Sequence, residues 1–191
     1  MVRRETKQEN TQEKSLNKLN KSHFFEIKKV SSEVSAKVIL TGEHSVVYGG
    51  KAICVPLNSM KMKITLEKIF SQRRENLWNK KRVTYKPHIV TELIDKVFVL
   101  LNLPKYKLKS SIDSNFLVGA GLGSSAALCL VILKAVSSLF NKNLTLSEEL
   151  KLANILEQRF HKTPSGLDTT SIYYNQAINF SKKFGATPLK L

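Results

Sequence analysis

Acidic side chains are scarce in this chain of 191 residues, where 15 aspartates and glutamates stand against 31 lysines and arginines, for a formal net charge of +16. An excess of this size points to an anionic partner: nucleic acid, an acidic membrane surface or a small anionic substrate. The basic residues are spread over the N-terminal tail and the middle third, densest at Arg73-Arg74 and Lys80-Lys81-Arg82, without the series of interleaved aromatics that stacking on bases requires. That argues against nucleic acid. Cysteine is almost missing too. Cys54 and Cys129 each sit in an apolar run with no paired spacing and no nearby histidine, which excludes a disulfide framework and suits free thiols in a reducing cytoplasm. No basic, apolar and small-residue series opens the chain, and its longest apolar run is broken by Ser124, Ser125 and Lys134 before membrane-spanning length. The expectation is a cytoplasmic protein with no membrane or nucleic-acid partner.

Hydrophobic residues at 42% and charged residues at 24% are ordinary for a globular chain, and the length suits one domain with a full core. Residues 1–22 hold almost no large apolar side chains and are expected to form a disordered polar tail, leaving 23–191 as the folded domain. Strands are expected over residues 24–30, 34–40, 51–56 and 61–66, the last from alternation of Met62, Ile64 and Leu66 with polar neighbours. Residues 45–48 read as a short helix or turn stopped by Gly49-Gly50, and 89–101 as a helix closed by Pro104. A strand over 110–118 then precedes the strongest helix, 125–140. A further helix is expected over 146–160 with Ser147 as its N-cap, and a strand over 172–180.

Between the strand and the strong helix lies Gly119-Ala120-Gly121-Leu122-Gly123-Ser124-Ser125-Ala126. Glycines let backbone approach a bulky anion with positive φ, and a helix starting near Ser124 aims free N–H groups and its positive end at it. The same residues also serve a helix that merely packs tightly on a strand. Two further segments stand out. Lys37 opens the run Lys37-Val38-Ile39-Leu40-Thr41-Gly42-Glu43-His44-Ser45-Val46-Val47-Tyr48-Gly49, and Asp168 lies in Thr163-Pro164-Ser165-Gly166-Leu167-Asp168-Thr169-Thr170. A lysine, an aspartate, a phosphate-cradling loop and a further acid for a metal together suit phosphoryl transfer. Each also has a plainer reading: Lys37 as a strand-edge surface lysine, Asp168 as a turn cap, and Glu157 as a solvated residue near Lys151 and Arg159. His44 and His161 read as structural hydrogen-bonding histidines, with no transition-metal spacing around them.

In order and spacing these three segments resemble the GHMP family of small-molecule kinases, over roughly residues 30–180. The resemblance implies an α+β fold, a mixed and mostly antiparallel sheet with helices on one face, as in that family's N-terminal domain. It implies ATP held by Gly119, Ala120, Gly121, Leu122, Gly123, Ser124 and Ser125, with Asn58 and Ser114 near the nucleotide. Mg²⁺ would be bound by Ser125 and Glu157. Asp168 would be the catalytic carboxylate with Lys37 beside it, and Glu43 and His44 would lie toward the substrate. The Gly-Glu-His-Ser-Val-Val segment together with Pro-Ser-Gly-Leu-Asp implies mevalonate as the substrate. Phosphomevalonate, homoserine or a sugar stays open within the family, and so does a split or truncated module that binds nucleotide without catalysis.

The chain departs from the family pattern in carrying Ser35-Ala36 in place of Pro-Gly, Leu117-Val118 in place of Pro-Pro, and Thr163 in place of asparagine. It also shows no second glycine-rich segment. The C-terminal GHMP domain is therefore expected to be missing here, and a separate chain that carries it and a homodimer both stay open as partners.

Overall fold

The structure is a computed structural model that describes residues 29–69 and 85–190. The expected tail, residues 24–28 of the first expected strand and the basic clusters at 73–74 and 80–82 lie outside the described residues. Strands β1 (Lys29–Thr41) and β2 (Lys51–Lys68) form a long antiparallel pair joined through a 3-10 turn at Ser45–Tyr48. Along its other edge β2 carries two partners in succession. Its first residues pair with β4 (Ile178–Ser181), itself paired with β5 (Gly185–Pro188), and its last seven pair with β3 (Leu108–Ser114). Every pairing among the described residues is antiparallel.

Helices α1 (Pro87–Leu100), α2 (Ser124–Leu139), α3 (Leu146–Glu157) and α4 (Leu167–Tyr174) complete the α+β architecture expected from the sequence. The core explains their placement. Met62, Ile64 and Leu66 alternate along β2 and are fully buried, as strand periodicity requires. Helix α2 rests on that sheet, with α1, α3 and α4 also packed on it, and residues from Ala126 to Leu133 are all fully buried. A helix enclosed on nearly every side needs apolar residues all round, which the run Ala-Ala-Leu-Cys-Leu-Val-Ile-Leu supplies. A smaller cluster of Val46, Ala52, Cys54, Leu167, Ile178 and Phe180 seats the start of α4 against β2 and β4.

Several boundaries differ from those read in the sequence. The four expected strands of the first half merge into β1 and β2, because residues 31–33 pair with β2 in regular register and the shift at Ser35/Ala36 absorbs residues 58–60 without ending the ladder. The strand expected over 110–118 ends at Ser114, where the Ser114 hydroxyl accepts the Phe116 N–H and turns the chain. Thr145, not Ser147, caps α3. Its hydroxyl accepts the Glu148 N–H while the Glu148 carboxylate accepts the Thr145 N–H, a reciprocal capping box. The strand expected over 172–180 is overturned in its first half, since residues through Tyr174 belong to α4 and only Ile178–Ser181 is extended. Gly166 at φ 80 starts that helix, Asn175 at φ 48 ends it, and burial of Leu167 and Ile172 overrides the β preference of Thr169-Thr170-Ser171-Ile172.

Because α2 is the helix on which the others pack, truncating its centre should be costly. Leu130→Ala is expected to destabilise the chain by about 2–5 kcal/mol in urea unfolding. A loss indistinguishable from that of an exposed site such as Val99→Ala would contradict the central role of α2.

Candidate active site

Three elements converge on one cleft of about 440 Å³, within the size range of small-molecule sites. The loop between β3 and α2 forms one wall. Gly119, Gly121 and Gly123 have φ values of 80, 76 and 73, so positive φ recurs at every second residue. Such alternation turns successive N–H groups toward one concave side and makes an anion cradle. Gly123 is the N-cap of α2 and has no side chain to satisfy the first-turn donors. The N–H groups of that turn therefore stay available to a ligand, at the end where the helix dipole is positive. The Gly119 N–H is already used, donated to the Ser124 hydroxyl at 3.2 Å.

Under the loop runs Lys37 of β1. Its side chain is 3% exposed, and its Nζ lies 2.8 Å from Asp168 Oδ1 and donates to the Gly121 carbonyl at 3.3 Å. Its backbone N–H donates to the Leu122 carbonyl at 3.2 Å, so one residue ties strand, loop and α4 together. Gly123 is what admits it. A Cβ at that position would stand 2.7 Å from Lys37 Cε, closer than real contacts permit, on a backbone already at positive φ. Asp168 belongs to the first turn of α4 and is one third exposed, so its carboxylate faces the cleft as well as the lysine.

Glu157, the last residue of α3, closes the third side. It is buried, and its Oε1 accepts a 2.6 Å hydrogen bond from the Ser125 hydroxyl. Its Oε2 is buried with no hydrogen-bond partner among the described residues. Burial pushes the Glu157 carboxyl above its ordinary value, and the Asp168 carboxylate adds to that; the Ser125 hydrogen bond, His161 and Lys37 oppose it. His161 Nε2 lies 3.7 Å from Oε1. A buried carboxylate with one free oxygen, a hydroxyl beside it and a second carboxylate nearby is a donor set that fits a hard divalent cation. Among the described residues no group of three or more His, Cys, Asp or Glu could hold a metal ion.

Of the residues singled out in the sequence, the cleft brings together Lys37, Glu43, Gly119, Gly121, Gly123, Ser124, Ser125, Glu157 and Asp168. Ala120 and Leu122 complete the loop without lining the cleft, Leu122 packing against the main core. Asn58, Ser114 and His44 do not line it. Asn58 is exposed and accepts from the Ser35 hydroxyl, Ser114 is occupied by the turn at Phe116, and His44 precedes the 3-10 turn. The sequence reading gave no binding role to Asn154, His161, Thr163, Ser165 or Thr169, which line the cleft as well. Helical spacing holds a signal for Asn154, since it precedes Glu157 by three residues and shares its face. The described residues include no helix long and apolar enough to cross a membrane.

Comparison with known proteins agrees with this geometry. Residues 88–176 match the model of the GHMP kinases N terminal domain, spanning α1, β3, the glycine loop and α2 to α4. The chain carries a GHMP kinase N-terminal domain. Its relatives include the mevalonate kinase of Methanocaldococcus jannaschii, 31% identical over an aligned length of 161 that covers 74% of this chain and 51% of that protein. Among solved structures, mevalonate kinase from methicillin-resistant Staphylococcus aureus superimposes with a TM-score of 0.68 at 31% identity, covering 85% of this chain and 56% of that one. The L. major mevalonate kinase in complex with R-mevalonate gives 0.70 at 25% identity, covering 86% and 54%. The chain spans about half the length of the curated relatives it matches.

The raised Glu157 carboxyl has a consequence for stability. A carboxyl whose folded-state pKa is raised stabilises the fold below its unfolded value, and that contribution is lost as pH rises through the folded one. Glu157→Gln keeps the oxygen that accepts from Ser125 and removes the charge. In metal-free buffer the variant should melt higher than the parent at about pH 8 and differ little at about pH 4. A lower melting temperature at the higher pH would contradict the unpartnered buried charge.

Proposed function

We propose that this chain serves a small-molecule kinase that transfers the γ-phosphate of ATP to the primary alcohol of mevalonate, forming 5-phosphomevalonate and ADP. The observation that carries the reading is the Lys37–Asp168 pair, 2.8 Å apart, beneath a glycine loop that ends on an uncapped helix N-terminus. The choice of mevalonate within the family is supported by relatives named mevalonate kinase at about 30% identity.

In this reading the loop from Gly119 to Ser125 receives the triphosphate through backbone N–H groups and the end of the α2 dipole. Glu43 lines the cleft on the acceptor side, while Asn58, Ser114 and His44, which do not line it, keep no direct role in this reading. Asp168 accepts the proton of the attacking hydroxyl as the new O–P bond forms and the bond from the γ-phosphorus to the bridging oxygen breaks, with ADP leaving. Lys37 holds the Asp168 carboxylate in place at 2.8 Å and faces the charge on the transferring group. Ser125 and Glu157 would hold Mg²⁺, which would supply neutralisation of the phosphate charge. The free oxygen of Glu157 supports that assignment.

The test is ADP release coupled to mevalonate, with nucleotide binding measured in parallel. Asp168→Asn is expected to lower turnover by about 10²–10⁴-fold while ADP affinity stays within about threefold. Equal losses in both would make Asp168 structural. No turnover of mevalonate by the chain, alone or together with a chain that carries the C-terminal domain, would overturn the kinase reading.

A further inference from the structure

One polar side chain in the cleft has no task in the scheme above. Asn154 lies on α3, three residues before Glu157, and lines the cleft with it. Its Oδ1 is buried and has no hydrogen-bond partner among the described residues. The side chain faces the turn that leads into α4, with Oδ1 3.9 Å from where a Cβ on Gly166 would stand. Three polar groups nearby are committed elsewhere. The Ser165 hydroxyl accepts the Leu167 N–H, the Thr169 hydroxyl donates to the Gly166 carbonyl, and Glu157 accepts from Ser125.

Asparagine is also a poor choice for a helix interior, so neither the helix nor its packing calls for it. A buried amide oxygen left without a donor is costly to the folded chain, and such a group calls for an explanation. Gly166 is the N-cap of α4, whose first turn carries Asp168, so Asn154 borders the wall of the cleft that holds that carboxylate.

We infer that Asn154 is a specificity-determining residue for the phosphate acceptor, hydrogen-bonding a hydroxyl of the acceptor other than the one phosphorylated. A carboxylate could not satisfy the free oxygen, because it only accepts. A hydroxyl both donates and accepts, so it serves either end of the amide. The inference rests on the kinase reading and deepens it by giving the acceptor a second polar handle. Sites built to hydrogen-bond a substrate hydroxyl reject the analogue that lacks it, because the protein group is then left unpaired.

The experiment compares kcat/KM for mevalonate with that for 5-hydroxy-3-methylpentanoate, the same acid without the second hydroxyl, in the parent chain, Asn154→Ala and Asn154→Gln. The parent should prefer mevalonate by about 100-fold or more. Asn154→Ala should cut that preference to about threefold or less, chiefly by raising KM for mevalonate, with KM for ATP unchanged. Asn154→Gln keeps the amide and should retain part of the preference. Alanine suits a helix interior, so loss of folding is not expected, and melting temperatures check that. A preference unchanged in Asn154→Ala, or a rise in KM for ATP equal to that for mevalonate, would overturn the inference and leave the kinase reading standing. No transfer to either alcohol by the parent chain, alone or together with a chain that carries the C-terminal domain, would remove both.

Discussion

The arrangement depends on a lysine that cannot reach water. With 3% of its side chain exposed, the Lys37 ammonium must find its partners inside the fold, and it finds the Asp168 carboxylate and the Gly121 carbonyl. A buried charge without such partners costs several kcal/mol or more, so strand β1, the glycine loop and the first turn of α4 are bound to one geometry. The loop in turn must lack a Cβ at Gly123, where the lysine stem passes. One interaction thus sets the loop's height above the sheet, the direction of the Asp168 carboxylate and the residue allowed at the N-cap of α2.

Around that pair the sheet and helices act as a frame. Strand β2 is long enough to hold β1 along one edge and both β4 and β3 along the other, and its first half gathers the Lys37 stretch of β1, β4 and the start of α4. Helix α2, enclosed by apolar neighbours, cannot shift without opening the core, which fixes the donors of its first turn. Helix α3 adds Glu157 and Asn154 from one face, each with an oxygen that no described side chain satisfies. Two unsatisfied buried oxygens thus lie in a single cleft, and each calls for an explanation; in the proposed reading one meets a cation and the other a hydroxyl.

Much of this was legible in the residues. The central helix was readable because a continuous apolar run has one economical location, the core, and the loop was readable because three alternating glycines before a helix have few physical uses. The capping box of α3 was present as Thr145-Leu146-Ser147-Glu148, and reading Ser147 as the cap mistook a first-turn residue for the residue whose hydroxyl meets the backbone. Helix α4 was not legible, since its threonines, serine, isoleucine and tyrosines favour strand locally and become helical only where Leu167 and Ile172 find the core. Asn154 was passed over because neighbours along the chain do not reveal whether an amide oxygen will be buried unpaired.

The order of the motifs, the glycines at positions needing positive φ and the presence of a lysine and two acids in reach of a phosphate loop were determined by the sequence alone, because each is a property of residue type and short-range spacing. Tertiary structure decided which of those groups touch. The depth of Lys37, the burial that raises the Glu157 carboxyl and the turn that brings Asn154 beside Gly166 all arise from packing between segments far apart in the chain. Burial and electrostatic partnership are properties of that packing, and local residue patterns carry them only weakly.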